Sequence, residues 1–200
     1  MKKYLHHIIS LIVFATVANS VNAQNWDMNL LTQINPRYPS NQTWKTISST
    51  AEPLAASIPV GMIAVALITE NKNLELKSYE IAASLGAAVI ATGALKVVIN
   101  RPRPYIDYPN LIHPDEVDNG SSFPSAHTSM AFATATALYL NYKKWYVGVP
   151  AFAWASAVGY SRLYLGQHYP SDVLAGAAVG AGSAWICHWA NKKLFGKKKK

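Results

Sequence analysis

Charge is what this chain has least of. Only 14% of its 200 residues are Asp, Glu, Lys or Arg, against roughly 25% in an ordinary soluble domain. Acid is the scarcer sign: 10 acidic residues stand against 18 Lys and Arg, for a net charge of +8. Cysteine occurs once, as Cys187. That excludes a disulfide framework and a cysteine-based zinc site, and Cys187 reads as a small residue in an apolar helix. Internal repeats are also missing, which excludes a solenoid. What is abundant is apolar side chain, at 50% of residues. The length fits one domain with a sizeable core.

The positive charge is not spread as a nucleic-acid surface would be. It gathers in Lys143 and Lys144, in Lys192 and Lys193, and in a terminal run from Lys197 to Lys200. Basic residues confined to short loops and a tail after an apolar segment are topology determinants or anionic-lipid contacts. No nucleic-acid partner is expected.

Residues 1–23 read as a secretory signal peptide: Lys2 and Lys3, an apolar stretch over 8–18, then Val21-Asn22-Ala23 before cleavage at Gln24. Left uncleaved, the same stretch is a transmembrane helix. Residues 24–50 are polar, with Trp26 and Trp44 and at most a short helix over 29–34. Five apolar segments follow, at 51–69, 81–99, 125–142, 147–165 and 173–190. Each is near the roughly 17–25 residues that span a bilayer, and each is rich in Ala, Gly and Ser, which permit close helix packing. The last carries Gly176 and Gly180 in a small-xxx-small pattern. The expectation is an all-α antiparallel transmembrane bundle of five spans, six if the signal remains. Residues 51–190 would be the domain proper, between a periplasmic segment at 24–50 and a basic cytoplasmic tail at 191–200. The basic tail assigns the cytoplasmic side. Counting back from it puts the loop carrying Lys72 and Lys77 and the Lys143-Lys144 loop on that side as well. The loop 100–124 and the turn at Gly166 then face outward.

Three polar clusters fall on that outward side. The first is Lys96 with Arg101-Pro102-Arg103-Pro104; guanidinium forks suit phosphate oxygens, and proline stiffens the chain bearing them. The second is Pro124-Ser125-Ala126-His127 at the start of an apolar segment. A helix amino terminus there offers free N–H groups to an anion, and His127 offers a transferable proton. The third is Ser161-Arg162 followed by His168 and Asp172, the last two spaced as neighbours on a helix face. Asp107, Asp115, Glu116 and Asp118 with His113 occupy the outer loop, where loop acids face water. Arg101 is expected at the membrane surface, and His188 at the far end of the last helix.

Together, Lys96-x6-Arg103-Pro104, Pro124-Ser125-Ala126-His127 and Ser161-Arg162-x5-His168-x3-Asp172 resemble the three-part signature of the type 2 phosphatidic acid phosphatase (PAP2) superfamily, which includes vanadium haloperoxidases. Ala126 stands where the second motif usually has Gly. The resemblance implies phosphate held by Lys96, Arg103, Arg162, Ser125 and the Ala126 N–H. It makes His168 the nucleophile that becomes phosphohistidine, Asp172 its orienting partner, and His127 the acid and then the base. No metal or other cofactor is implied. A site at the outer face of a bacterial inner membrane, open to the periplasm, implies a phosphorylated envelope lipid as substrate: lipid A, undecaprenyl diphosphate or phosphatidylglycerol phosphate. A soluble periplasmic acid phosphatase, a vanadate haloperoxidase and an inactive lipid-binding protein would share the same residues.

Overall fold

The computed structural model describes residues 20–195, and every regular element among them is a helix. The core of the expected signal and the last lysines, residues 1–19 and 196–200, lie outside the described residues. In chain order the helices are α1 (Ser20–Ile34), α2 (Gln42–Ser49), α3 (Ala51–Ile68), α4 (Lys72–Ile99), α5 (Pro104–Asp107), α6 (Ala126–Tyr142), α7 (Trp145–Tyr164) and α8 (Pro170–Phe195).

All five apolar segments are helical, but cap chemistry sets their ends. Helix α4 begins nine residues before the apolar run does, at Lys72. There the Asn71 side chain accepts from the Leu74 N–H at 3.1 Å, satisfying a first-turn donor. It ends at Asn100, whose φ of 42° stops the helix in the left-handed region. Ser125 is the amino-terminal cap of α6, and Pro170 is the first residue of α8.

Helices α3, α4 and α8 are long and apolar enough to cross a membrane. Helices α6 and α7 fall outside that set by length or composition. For α6 the composition follows from what it faces. Helix α6 is the centre of the bundle, packed by α3, α4, α7 and α8, and its buried face is Thr128, Ser129, Ala131, Ala133, Thr134, Ala135, Thr136 and Ala137. A helix surrounded by protein needs small side chains rather than lipid-soluble ones, and its hydroxyls find partners apart from that of Thr136. Thr134 donates to the Met130 carbonyl at 3.0 Å, and Thr92 of α4 reaches Ser129 at 3.0 Å. The outer helices carry the exposed apolar side chains: Val60, Val65 and Ile68 on α3, Ile90, Val97 and Val98 on α4, and Trp185 and Ile186 on α8. A surface this apolar suits lipid rather than water.

The tightest packing joins α6 to α8. A Cβ added at Gly180 would lie 2.1 Å from the Ser129 carbonyl oxygen, and one at Gly176 would lie 2.6 Å from that of Ser125. The small-xxx-small pattern therefore sets the separation between the start of α6 and the start of α8, the two helix ends that bear His127 and Asp172.

The segment 24–50 is folded rather than a polar stretch. Helix α1 runs through the Ala23–Gln24 junction where cleavage is expected and continues to Ile34. Helix α2 lies along α7, with the Trp44 ring centroid 4.6 Å from that of Tyr160. Ile47 packs on the Ala51, Ala131, Ala135, Ala155 and Val158 core.

Candidate active site

The loops 100–125 and 165–169 meet at one end of the bundle, with α1 and α2 laid against them. This end holds Lys96, Arg103, Ser125, Ala126, His127, Arg162, His168 and Asp172 together. The turn that delivers His168 needs glycine. Gly166 has φ +66°, and a Cβ there would sit 2.6 Å from the His113 carbonyl. Asn35, at the end of α1, ties this turn to the outer loop: it donates to the His113 and Tyr164 carbonyls, both at 2.9 Å, and accepts from the His113 N–H at 2.8 Å.

His168 is 2% exposed. Its Nδ1 lies 2.8 Å from the Ser122 carbonyl oxygen. A carbonyl can only accept, so Nδ1 carries the proton and the Nε2 lone pair is free. Burial pushes the imidazolium down to about 4 against the upward pull of Asp172, so the ring is neutral at pH 7. The contact with Asp172 is looser than sequence alone suggests, at 3.6 Å from Nδ1 to Oδ2. Asp172 Oδ2 instead accepts from the Tyr169 N–H at 2.9 Å and from the Ser122 hydroxyl. Ser122 thus touches both members of the pair. Nothing in its sequence surroundings marks it; the signal is its contact across 46 and 50 residues.

Arg103 is 3% exposed and bound on every side. It donates to the Gly120 carbonyl at 3.0 Å, to the Gln167 carbonyl and side chain at 3.1 and 3.0 Å, and to Asp118. Asp118 is therefore not simply a solvated loop acid, although its side chain is 56% exposed. Burial pushes its carboxyl up, but the Gly120 N–H and the Arg103 and Lys96 charges outweigh that and hold it below its ordinary value. Asp115 pairs with Lys45, and Asp107 accepts from the Tyr169 hydroxyl at 2.9 Å. The loop acids are mostly engaged with protein. Lys96 Nζ donates to the Ser121 carbonyl.

Arg162 donates to Ser48 of α2 at 2.7 Å, and its Nε is buried without a partner. A buried unpaired donor costs about 1–3 kcal/mol, a cost that an anion in the adjoining space would remove. That space is a polar cavity of about 340 Å³ lined by Arg162, His127, Gln42, Lys45, Thr46 and Asp115. His127 Nε2 is 3.9 Å from Glu52 Oε1 of α3, a partner that sequence did not point to. Lys96, Arg103, Arg162 and His168 all lie within electrostatic reach of His127. On the other side of Ala126 an apolar groove of about 430 Å³ runs between α3, α4 and α6, lined by Glu52, Ala56, Val89, Lys96 and Met130.

Ser125 is fully buried, and its Oγ accepts from the Thr128 hydroxyl at 2.9 Å. Ala126 opens α6 with ordinary helical backbone; it is not among the described residues of positive φ. The freedom of a glycine is not used at this position, and a first-turn N–H has no partner within the helix. Arg101 is not at the membrane surface: it turns inward onto Asp172 and Asp27.

Buried and half-buried cations around a neutral histidine and a free helix amino terminus define an anion site in an all-helical bundle. Residues 78–195 match the model of the PAP2 superfamily, and the chain belongs to that superfamily. It is a membrane protein and a phosphoric monoester hydrolase. Among similar proteins, the bacitracin transport permease protein BcrC of Bacillus licheniformis is 34% identical over 150 residues, 72% of this chain and 70% of that one. A lipid A 4'-phosphatase of Bacteroides thetaiotaomicron is 37% identical over 75 residues, 38% of this chain but only 33% of its own length. The fold is that of the transmembrane PAP2-type phosphatidylglycerolphosphate phosphatase of Bacillus subtilis, with a TM-score of 0.70 at 22% identity, over 99% of this chain and 100% of that one.

Proposed function

We propose that the protein removes a phosphate from an envelope lipid through a phosphohistidine on His168, at the periplasmic face of the inner membrane. The observation that carries this reading is the setting of His168. Its Nδ1 is committed to the Ser122 carbonyl, so the Nε2 lone pair is free, and Arg162 and Arg103 lie within electrostatic reach of the ring. In the first step Nε2 bonds to phosphorus while the bond from phosphorus to the lipid oxygen breaks. His127, which takes up a proton once the substrate's negative charge offsets the neighbouring cations, gives it to that leaving oxygen. In the second, His127 takes a proton from water, the water oxygen bonds to phosphorus, and the N–P bond breaks to release inorganic phosphate. Lys96, Arg103, Arg162, Ser125 and the Ala126 N–H stabilise the phosphoryl oxygens as charge builds on them. Asp172 offsets the positive charge that develops on His168. On Arg103, a phosphoryl oxygen takes the place of the exposed Asp118 carboxylate.

A lipid substrate is supported by two unlike spaces at the start of α6, one lined by His127 and the other by its neighbour Ala126. The polar cavity can take a hydrophilic head group, and the apolar groove between α3, α4 and α6 can take a chain. The orientation follows from lysines at the opposite end, on the 72–77 and 143–144 stretches and at Lys192 and Lys193, which favour the cytoplasm. Residues 51–190 form the phosphatase domain in this reading, after a signal at 1–23 and the segment 24–50, and before the tail at 191–200. Lipid A, undecaprenyl diphosphate and phosphatidylglycerol phosphate are the candidates, and similar proteins are named for the first two. Mass spectrometry of envelope lipids from cells with the wild-type protein and with His168→Ala tests the reading. The expected result is that the variant restores one phosphate to a single lipid class; identical lipids in the two strains would reject it.

A further inference from the structure

Arg101 occupies one of the six unspecified positions between Lys96 and Arg103, yet it makes a dense set of contacts around Asp172. Its Nη1 donates to Asp172 Oδ1 at 2.8 Å and to the Ser171 hydroxyl at 2.7 Å. Its Nη2 donates to Asp27 Oδ2 at 3.0 Å. The guanidinium carbon sits 3.7 Å from the Tyr169 ring centroid, a stacked cation–π contact. Asp27 belongs to α1, well before the residues that match the family model, and is 2% exposed. It also accepts from the Ser171 N–H at 2.8 Å and the Ser171 hydroxyl at 2.5 Å. It therefore caps the first turn of α8, the turn that bears Asp172.

These contacts divide the Asp172 carboxylate into two jobs. Oδ1 is held by Arg101, which leaves Oδ2 turned toward Ser122, Tyr169 and the His168 ring. The charges matter as well. Arg101 alone would neutralise Asp172 and weaken its pull on a cationic His168. With Asp27 on its other side, the group of three keeps one net negative charge. Asp172 is then both oriented and still effectively anionic. A guanidinium fork can hold two carboxylates in fixed directions, which an ammonium cannot.

We propose that Arg101 and Asp27 are positioning residues for the Asp172–His168 pair, and that helix α1 is thereby part of the active-site assembly. The proposal rests on the phosphohistidine reading above. Neither residue touches the phosphate. Both act on the rate of phosphoryl transfer to His168 rather than on substrate binding.

The experiment is steady-state kinetics on the full-length protein in mixed micelles, with phosphatidic acid as the probe lipid. The variants are Arg101→Gln, Arg101→Lys, Asp27→Asn, Asp172→Asn, the Arg101→Gln/Asp172→Asn double variant, and His168→Ala. The expected result is a fall in kcat of about 10²-fold for Arg101→Gln, the scale on which a misplaced catalytic group acts, with KM within about twofold. A smaller fall is expected for Asp27→Asn, and partial recovery of kcat in Arg101→Lys. In the double variant, Arg101→Gln should add little to the loss caused by Asp172→Asn, because both break one unit. A rise in KM at unchanged kcat would make Arg101 a substrate contact and overturn the proposal, as would independent, multiplying losses or wild-type kinetics. Asp27→Asn preserves size and an acceptor for Ser171, so it reads the same question if Arg101→Gln fails to fold. The His168→Ala arm separates the two readings. Residual phosphate release there defeats the phosphohistidine mechanism itself. Loss of release there, with normal kcat in the Arg101 and Asp27 variants, defeats only the positioning role.

Discussion

The bundle holds two buried polar clusters, one at each end, and they are built on opposite logic. At the end away from the site, Glu80 of α4 is 7% exposed and gathers donors around itself. It accepts from Asn141 of α6 at 2.8 Å, pairs with His188 of α8 at 2.6 Å, and accepts from Asn191. One carboxylate is saturated by neighbours from two other helices, and only an apolar groove lies beside it. His188 is thus a partner of Glu80 rather than a stray helix-end residue, although its Nε2 is left without a bond. At the other end, Lys96, Arg101, Arg103 and Arg162 gather among acids that include Asp27, Asp115, Asp118 and Asp172. One guanidinium N–H is unpartnered, and a polar cavity opens beside it. A buried charge whose bonds are all met joins helices. A buried donor left unmet beside open space waits for an acceptor.

The sharpest way to break this contrast is to remove one residue from each end. Arg162→Ala should lower kcat/KM by about 10²–10³-fold, the usual loss when one stabilising donor is removed, with little change in thermal stability in detergent. Phosphate release from lipid micelles measures the first and thermal unfolding the second. Glu80→Gln should do the reverse. It should cost about 1–2 kcal/mol of stability, the scale of an interhelical polar contact in a membrane bundle, and leave kcat/KM of the folded protein within about twofold. Equal activity losses at the two ends would erase the distinction.

Acidity should act on the site end through His168. Its neutral form is the attacking one, so protonation of His168 should add no acid limb to kcat/KM near pH 6.5 but one near pH 4, where the buried ring takes its proton. Between those values the unfolded chain binds a proton at His168 that the folded chain refuses. The contribution of this residue to stability is therefore complete above pH 6.5 and is lost as pH falls through that window. An acid limb near 6.5 in the pH–rate profile would contradict the buried, neutral ring. The smallest effect is expected from Asp118→Asn. Removing the carboxylate that rests on Arg103 should tighten inhibition by inorganic phosphate about two- to fivefold, the scale of an exposed ion pair; weaker inhibition would mean that Asp118 helps to hold the anion.

Much of this was readable from the chain. Ala- and Gly-rich runs announced helices, and the positions of Lys96, Arg103, Ser125, His127, Arg162, His168 and Asp172 announced a phosphate chemistry. The apolar runs also announced the helical bundle but not that α6 is enclosed by the other helices, because hydropathy and length cannot tell a helix facing lipid from one enclosed by protein. The same reading treated residues 24–50 as a periphery. The reason is that Asp27, Asn35 and Ser48 gain meaning only from partners 144, 129 and 114 residues away. No local pattern marks such a pair.

The local signals in the sequence determined which helices form and which reactive side chains stand at their ends, since apolar periodicity, caps and glycine spacing act within a few residues. Only the tertiary structure decided what those side chains face. It turned Arg101 inward to Asp172, committed His168 Nδ1 to the Ser122 carbonyl, and set Asp118 on Arg103. Hydrogen-bond directions depend on ångström-scale placement of distant backbones, and here that placement comes from the close approach of α6 and α8 at Gly176 and Gly180.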